Sequence, residues 1–291
     1  MFNKINEIIS VFMRKVATRQ NYLFVLKNFK PLFELQHINS LLESKRFFQF
    51  IDTIELDIPK GKSITVIAPH TDDDIFGAGG TLLKAASQGA SISVIYLSNS
   101  AKIPSQAELV KQEAREICSN YGAEPYFLDL VPGNICIDNK TTEMLRELLV
   151  KLSPSTLFIS FFLDDNDDHR RANQLFINSI DGINLNAVEI WAYQIYSTLI
   201  GNVVVDITHT INKKTLLMDM WKSVEGKRDW KHYILGINMM NCRYLNKKGK
   251  IYGEVFFVLP ANEYIELCKD YFLISASYVY RNSKYVSLLK Q

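Results

Sequence analysis

Two short segments of the sequence each combine a histidine with several carboxylates. The first, Pro69 to Gly80, contains His70 and three consecutive aspartates at 72–74. The second, Asp164 to Asn173, contains His169 among four aspartates. Seven carboxylates in two short segments would repel one another unless they lie well apart, bind cations or stay partly protonated. A bound metal ion is therefore a natural interpretation of this charge pattern.

The residue types in these segments suit zinc. Imidazole nitrogens and carboxylate oxygens both bind this metal, and a catalytic zinc typically has three protein ligands and one position for water. Two histidines and one aspartate would supply such a set, but spacing alone does not choose between Asp72 and Asp73. The alternative for each segment is a helix N-terminus, where aspartate and asparagine are favoured.

The sequence does not match three other kinds of enzyme motif. Gly77, Gly79 and Gly80 do not have the G-x-G-x-x-G spacing of a dinucleotide site, and a tight turn with close helix–strand packing explains them better. The triplet Asp72-x-Asp74 resembles the acidic metal clamp of nucleotide-sugar glycosyltransferases, but it leaves both histidines without a role. The G-x-S-x-G motif of serine hydrolases does not occur.

From residue 63 onwards, short β-branched runs alternate with helical patterns, which predicts a doubly wound, mainly parallel α/β sheet with helices on both faces. The predicted strands are 63–68, 92–97, 125–130, 156–162, 188–193, 203–207 and 255–259. The predicted helices are 79–88, 105–121 and 141–152, with others starting near 168 and 262 and two more after 209. In such a sheet, ligands bind at the carboxyl ends of the strands, directly before both acidic segments.

Residues 1–55 form a separate predicted region, a helical N-terminal extension, because Ile5, Ile8, Ile9, Phe12 and Val16 recur at helical spacing. Such helices pack on their own protein or a second subunit, or bind a membrane surface. Residues 56–291 are predicted to form the catalytic domain.

Composition excludes several partners and locations. The 33 basic and 31 acidic residues are spread along the 291-residue chain, without the basic stripe of a nucleic-acid-binding protein. The four cysteines have no C-x-x-C spacing, which favours reduced thiols and a cytoplasmic protein. Neither a signal peptide nor a run of roughly 20 apolar residues is present, so we expect a soluble or at most peripheral protein.

The acidic segments also carry a family resemblance. Pro69-His70-Thr71-Asp72-Asp73 with Gly79-Gly80, and then Asp168-His169-Arg170-Arg171-Ala172, resemble the PIG-L/LmbE-like N-acetylglucosaminyl deacetylases. The likeness extends over roughly residues 63–260 and leaves out the N-terminal extension. The family usually reads His-Pro-Asp-Asp-Glu and then His-Pro-Asp-His, so this chain departs from it at Thr71, Asp74 and Asn166.

The resemblance implies a Rossmann-like fold and zinc-dependent removal of the acetyl group from an N-acetylglucosamine-type sugar. Carried over residue by residue, it makes His70, Asp73 and His169 the zinc ligands and Asp72 the general base. Zinc would lower the pKa of water and polarise the acetamide carbonyl. With Asn166 at the position of a histidine, Asp72 would itself return the proton to the departing amine.

Three further residues are candidates for substrate binding or for support of the ligands: Asn166, Asp168 and Arg170. For the arginine pair Arg170 and Arg171, a solvated first helical turn is the preferred interpretation. Two alternatives to the deacetylase remain, a metal-dependent glycosyltransferase and a catalytically degenerate, sugar-binding member of the family.

Overall fold

The computed structural model describes residues 53–99, 101, 104–196, 199–223 and 229–272. Contacts divide the chain into one unit, Asp52–Cys268, and a second that combines Met1–Ile51 with Lys269–Gln291. Of the second unit, only residues 269–272 are described. The predicted extension at 1–55 lies outside the described residues except for its last three, so its role at a membrane or between subunits stays a prediction.

Strands and helices alternate along the described residues. The strands are β1 Ile54–Leu56, β2 Ser63–Ala68, β3 Ser91–Ser98, β4 Ala123–Leu130, β5 Thr156–Ser160, β6 Glu189–Tyr193, β7 Val203–Asp206 and β8 Gly253–Pro260. The α-helices are α1 Asp73–Ser87, α2 Ala107–Tyr121, α3 Asn139–Leu152, α4 Asp167–Ser179, α5 Ile211–Met218, α6 Trp230–Asn241 and α7 Ala261–Phe272. None of the helices among these residues is both long and apolar enough to cross a membrane.

All eight strands form one mixed sheet in the order β1-β7-β8-β6-β5-β2-β3-β4. Every pairing is parallel except those of β8, which runs antiparallel to both β6 and β7. The predicted mainly parallel α/β fold is therefore confirmed. The strand at 255–259 was predicted, but its reversed direction and its position between β6 and β7 were not.

An aromatic cluster fixes β8 inside the sheet. Phe158 of β5, Trp191 of β6 and Phe256 of β8 are fully buried, and their ring centroids lie 5.3–5.5 Å apart. Aromatic pairs at such distances add to the stabilisation from their buried area. Phe256 of β8 thus packs on side chains of both β5 and β6.

Helix α1 begins at Asp73, six residues before the predicted start near Gly79. Two acidic residues in its first turn favour a helix N-terminus. The glycines do not form a turn; they let the helix approach the sheet closely. A Cβ at Gly77 would lie 2.2 Å from the ring of Tyr193, and one at Gly80 would lie 2.6 Å from Ile207.

A buried ion pair ties α1 to the other elements at this side of the sheet. Lys214 Nζ of α5 donates to Glu254 Oε1 at 2.7 Å, to Asn238 Oδ1 at 3.0 Å and to the backbone oxygen of Phe76 at 3.0 Å. The carboxylate of Glu254 also accepts hydrogen bonds from the backbone N–H groups of residues 80 and 81. Because all three ammonium donors have acceptors, the pair meets the condition under which a buried charge is tolerated.

Candidate metal centre

The two acidic segments meet at the carboxyl edge of the sheet. Strands β2 and β5 are neighbours in parallel register, with Ile67 opposite Ile159, so they end side by side. His70 lies two residues after the end of β2, and Asp73 begins α1. His169 lies in the first turn of α4, which begins seven residues after the end of β5. The topology thus explains why residues about a hundred positions apart share one site.

Asp73 stands between the two histidines. Its Oδ2 lies 3.1 Å from Nδ1 of His70 and 3.2 Å from Nε2 of His169. The candidate ligand atoms of the three side chains all lie within 4.8 Å of one another. Asp73 and His169 are almost completely buried, at 1% and 0% exposure, and His70 is partly exposed. The three side chains are therefore placed so that each could give one ligand atom to the same metal ion.

The far nitrogen of each histidine faces an outer carboxylate. His70 Nε2 lies 3.1 Å from Asp168 Oδ2, and His169 Nδ1 lies 3.6 Å from Asp164 Oδ2. Such carboxylates commonly orient metal-binding histidines and fix the ring tautomer. The sequence indicates Asp168 as a candidate for this role. It does not indicate Asp164, because nothing in the order of the four aspartates marks the one that turns towards a histidine.

Backbone N–H groups hold both outer carboxylates. Asp168 accepts from the backbone N–H of Gly133 at 2.5 Å and of Ile135 at 3.3 Å. Asp164 is fully buried and accepts from the N–H groups of residues 195 and 196 at 3.2 and 3.3 Å. The loops after β4 and β6 therefore hold the outer carboxylates through their backbones, a contribution that side-chain types in the sequence do not indicate.

The electrostatics of the cluster match a divalent cation. Burial opposes the charged form of His70, but the carboxylates of Asp73 and Asp168 outweigh it and raise its pKa to about 10. The pKa of His169 is raised to about 9 in the same way, with burial opposed by Asp73 and Asp164. Burial also opposes the charge on Asp73, yet the two histidines hold its pKa below the usual value. Two protons on the rings can thus be exchanged for one divalent ion without a change in net charge.

Asp72 lies beside this triad and has a different environment. It occupies the N-cap position of α1 but makes no side-chain capping hydrogen bond. Burial, followed by the negative charge of Asp73, raises its pKa to about 7. A carboxylate with this pKa is suited to proton transfer near neutral pH. The helix-capping explanation therefore does not account for Asp72.

Capping does account for Asn166, whose Oδ1 accepts from the backbone N–H of Asp168 at 2.9 Å at the start of α4. Arg170 is only 8% exposed and donates to the backbone oxygen of Asp164 at 2.7 Å. The expected solvated helical turn is wrong for this arginine. Asn166 thus stabilises the helix start at Asp168, and Arg170 stabilises the backbone at Asp164.

Asp74 is separated from the cluster. It is fully buried, and its Oδ2 accepts a hydrogen bond from the hydroxyl of Tyr121 at 2.6 Å. Burial raises its pKa to about 6, against the opposing effect of that hydrogen bond. Because Asp74 is engaged in the core, it does not form an acidic clamp with Asp72, and the feature that suggested a glycosyltransferase is lost.

Tyr196 is a residue of the site that the sequence did not reveal. Its ring packs edge-on against the ring of His169, with 5.2 Å between the centroids. Burial, followed by the charge of Asp73, raises the pKa of its hydroxyl, which stays neutral and able to donate. Tyr196 reaches the site through the loop after β6, which contains no histidine or carboxylate.

Residues 65–180 match the PIG-L family, described as GlcNAc-PI de-N-acetylase. The resemblance predicted from the sequence is therefore confirmed over these residues. They contain the histidines and the inner and outer carboxylates of the site. The family consists of deacetylases, which are hydrolases that act on amide bonds. No curated protein matches the sequence.

Several solved structures share the fold. N,N'-diacetylchitobiose deacetylase from Pyrococcus horikoshii is 21% identical, with a TM-score of 0.62 over 79% of this chain and 94% of that one. A zinc-inhibited form of teicoplanin deacetylase Orf2 is 11% identical, with a TM-score of 0.52 over 69% and 99% of the two chains. The 4-carboxy-2-hydroxymuconate hydratase GalB from Pseudomonas putida is 19% identical, with a TM-score of 0.55 over 67% and 95%. Since one of these is a hydratase, the fold alone does not determine the reaction.

Proposed function

We propose that this protein is a zinc-dependent deacetylase that hydrolyses the acetamido group of an N-acetylglucosamine-type sugar, releasing acetate and a free amine. The observation that carries this proposal is the buried cluster of His70, Asp73 and His169, with the carboxylate of Asp72 beside it and not used for capping. The match of residues 65–180 to a de-N-acetylase family supports the choice of amide hydrolysis.

His70 Nδ1, Asp73 Oδ2 and His169 Nε2 are the atoms that would hold the metal, because they converge while the other ring nitrogens face outer carboxylates. Three protein ligands of nitrogen and oxygen type are the set found in catalytic zinc sites. When bound, zinc would supply Lewis acidity, which polarises the acetamide carbonyl and acidifies water.

Asp72 would act as the general base that takes a proton from the attacking water. Its raised pKa lets it accept this proton at neutral pH and then release it. An asparagine side chain cannot act as an acid, and the oxygen of Asn166 already caps α4. Asp72 would therefore also deliver the proton to the departing amine.

Metal analysis and an acetate-release assay together test this proposal. Purified protein is analysed for zinc, manganese and magnesium, stripped with a chelator and reloaded, and then offered methyl 2-acetamido-2-deoxy-glucoside and chitobiose-type oligomers. Stoichiometric zinc with zinc-dependent acetate release is the expected result. Zinc and sugar binding without acetate would identify a sugar-binding family member, and manganese-dependent use of a nucleotide sugar would identify a glycosyltransferase.

A matched pair of variants assigns the activity to the site. Asp72→Asn removes the proposed base, and Asp165→Asn makes the same chemical change at an exposed aspartate of the second acidic segment. The first should lose most of its turnover and the second should keep it. Equal activities would contradict the role assigned to Asp72.

A further inference from the structure

A cavity of about 440 Å³ opens at the same edge of the sheet as the metal centre. Its walls come from α1, the loop after β6, α6 and the start of β8. Its volume lies within the range of about 300–1,000 Å³ that is typical of small-molecule sites. The family match ends at residue 180, so the loop, α6 and β8 lie outside the matched residues.

The cavity lies next to the candidate active site and shares a wall residue with it. Phe76 and Gly77 line it, and they follow Asp73 by three and four positions in α1. Residues at this spacing lie on one face of a helix, about one turn apart. Tyr196 also lines the cavity, while its ring contacts His169 at 5.2 Å between centroids. One tyrosine thus forms part of the wall of both spaces.

The lining combines apolar side chains with polar ones that include His232, Asn238 and Asn241. The side chains of Phe76, Leu199, Ile237, Met240 and Val255 form much of its surface. The carboxylate of Glu254 also reaches the cavity, but Lys214 neutralises it at 2.7 Å. Among the described residues, the lining contains no lysine or arginine, but it does contain His232. An apolar group that also carries hydrogen-bonding atoms fits this lining.

One polar group on the wall has an unused donor. Gln194 directly follows β6, and its Nε2 is buried without a hydrogen-bond partner among the described residues. A buried donor without a partner is costly, so an acceptor atom on a bound molecule would be favoured at this point. The expected ligand is accordingly apolar with at least one hydrogen-bond acceptor, such as the oxygen that joins a sugar to an aryl or alkyl group.

We infer that this cavity binds the aglycone of the substrate, and that the aglycone presents an apolar group to Phe76, Ile237 and Val255. The inference rests on the proposed function, because it places the acetamido sugar at the metal and the group attached to the sugar beyond Tyr196. The cavity then determines specificity: sugars with an aryl or alkyl substituent are bound more tightly than sugars with a methyl group alone.

The glycine at position 236 permits a direct test. Gly236 lines the cavity within α6, and a Cβ built there would meet no atom within 4 Å. Position 236 therefore has room for a Cβ, and Gly236→Phe, which replaces glycine by a better helix former, is expected to reduce the free volume of the cavity. Met239→Phe is the matched control, because Met239 lies in the same helix, is 48% exposed and does not line the cavity.

The experiment measures binding of phenyl and methyl 2-acetamido-2-deoxy-glucosides to the zinc-loaded full-length protein by calorimetry. Burial of the larger apolar group should lower Kd about 10- to 100-fold for the phenyl compound. Gly236→Phe should abolish this difference, while Met239→Phe keeps it. Equal Kd values in the unaltered protein, or an unchanged preference in Gly236→Phe, would overturn the inference.

Acetate release, measured in parallel, separates this inference from the proposed function. A phenyl preference in binding that Gly236→Phe removes, without acetate from either compound, would support the cavity and refute the deacetylase. Acetate release together with equal binding of the two glycosides would support the deacetylase and refute the cavity assignment.

Discussion

Replacing Asp72 by asparagine should make the metal-free protein more stable and the metal-loaded protein less active. The change keeps a residue that is favoured at a helix N-cap and removes only the charge. Burial and the neighbouring charge of Asp73 raise the pKa of Asp72 from 3.8 to about 7, so the folded state disfavours the ionised carboxylate. A neutral side chain at this position avoids that penalty.

The size of the gain follows from the pKa. A rise from 3.8 to about 7 corresponds to about 4 kcal/mol at 1.36 kcal/mol per pKa unit. Asp72 is not completely enclosed, so solvent reduces this value, and we expect about 1–3 kcal/mol. Since 1 kcal/mol changes Tm by about 2–4 °C in a domain of this size, Tm should rise by roughly 2–12 °C.

The sign of the pH dependence is fixed by the same shift. Because the folded-state pKa is higher than the unfolded one, the unaltered protein loses stability as pH rises from about 4 to about 7. The advantage of Asp72→Asn should therefore be absent below about pH 4, grow through this range and be complete above about pH 7.

Thermal unfolding in chelator, at several pH values, measures the stability, and zinc content and acetate release are measured on the same preparations. Zinc should stay bound while turnover falls about 10²- to 10⁴-fold, the usual contribution of a positioned base. A lower Tm at pH 8 would show that the Asp72 carboxylate stabilises the fold. Turnover equal to that of the unaltered protein would show that Asp72 is not the base.

Three further outcomes are expected. Asp73→Ala and His169→Ala each remove a proposed ligand, so competition with a chelator should show zinc affinity reduced by orders of magnitude; undiminished affinity in either would contradict the ligand set. Zinc binding at pH 7.5 should release about two protons, because raised pKa values of about 10 for His70 and about 9 for His169 keep both rings charged in the metal-free protein. Affinity should accordingly rise between pH 6.5 and 9, and calorimetry in buffers of different ionisation heat would refute this if no protons are released. Lys214→Met leaves the carboxylate of Glu254 buried and unpaired, so urea unfolding should show a loss of about 3–5 kcal/mol, partly recovered by adding Glu254→Gln; an unchanged midpoint would mean that the pair is not needed.

The sequence predicted the parallel part of the sheet because buried strands there are short β-branched runs between clear helical patterns. It did not predict the direction of β8, since a fully buried strand has the same composition whichever way it runs. It also placed the start of α1 too late, because the glycines at 77 and 80 indicate a turn when their distant contacts, Tyr193 and Ile207, are not known.

For the site, the sequence supplied the two histidines and the acidic segments, and the family resemblance chose between Asp72 and Asp73. The rest depends on long-range contacts. Asp164 faces His169 because backbone N–H groups from the loop after β6 hold it there. Tyr196 and the cavity require α6 and β8 to come together beside α1, which no local pattern specifies.

The position of β8 has a consequence for how the protein is made. Strands β7 and β1 join the sheet only through β8, although β1 consists of residues 54–56 and β8 of residues 253–260. While the ribosome synthesises the chain, β2 to β6 can pair as they emerge, but the edge of β6 stays open until residues 253–260 have left the exit tunnel. An open strand edge can pair with another chain, so the nascent protein is most prone to aggregation during this interval. Truncation before residue 253 would prolong that state indefinitely, even though every residue of the metal centre would still be present.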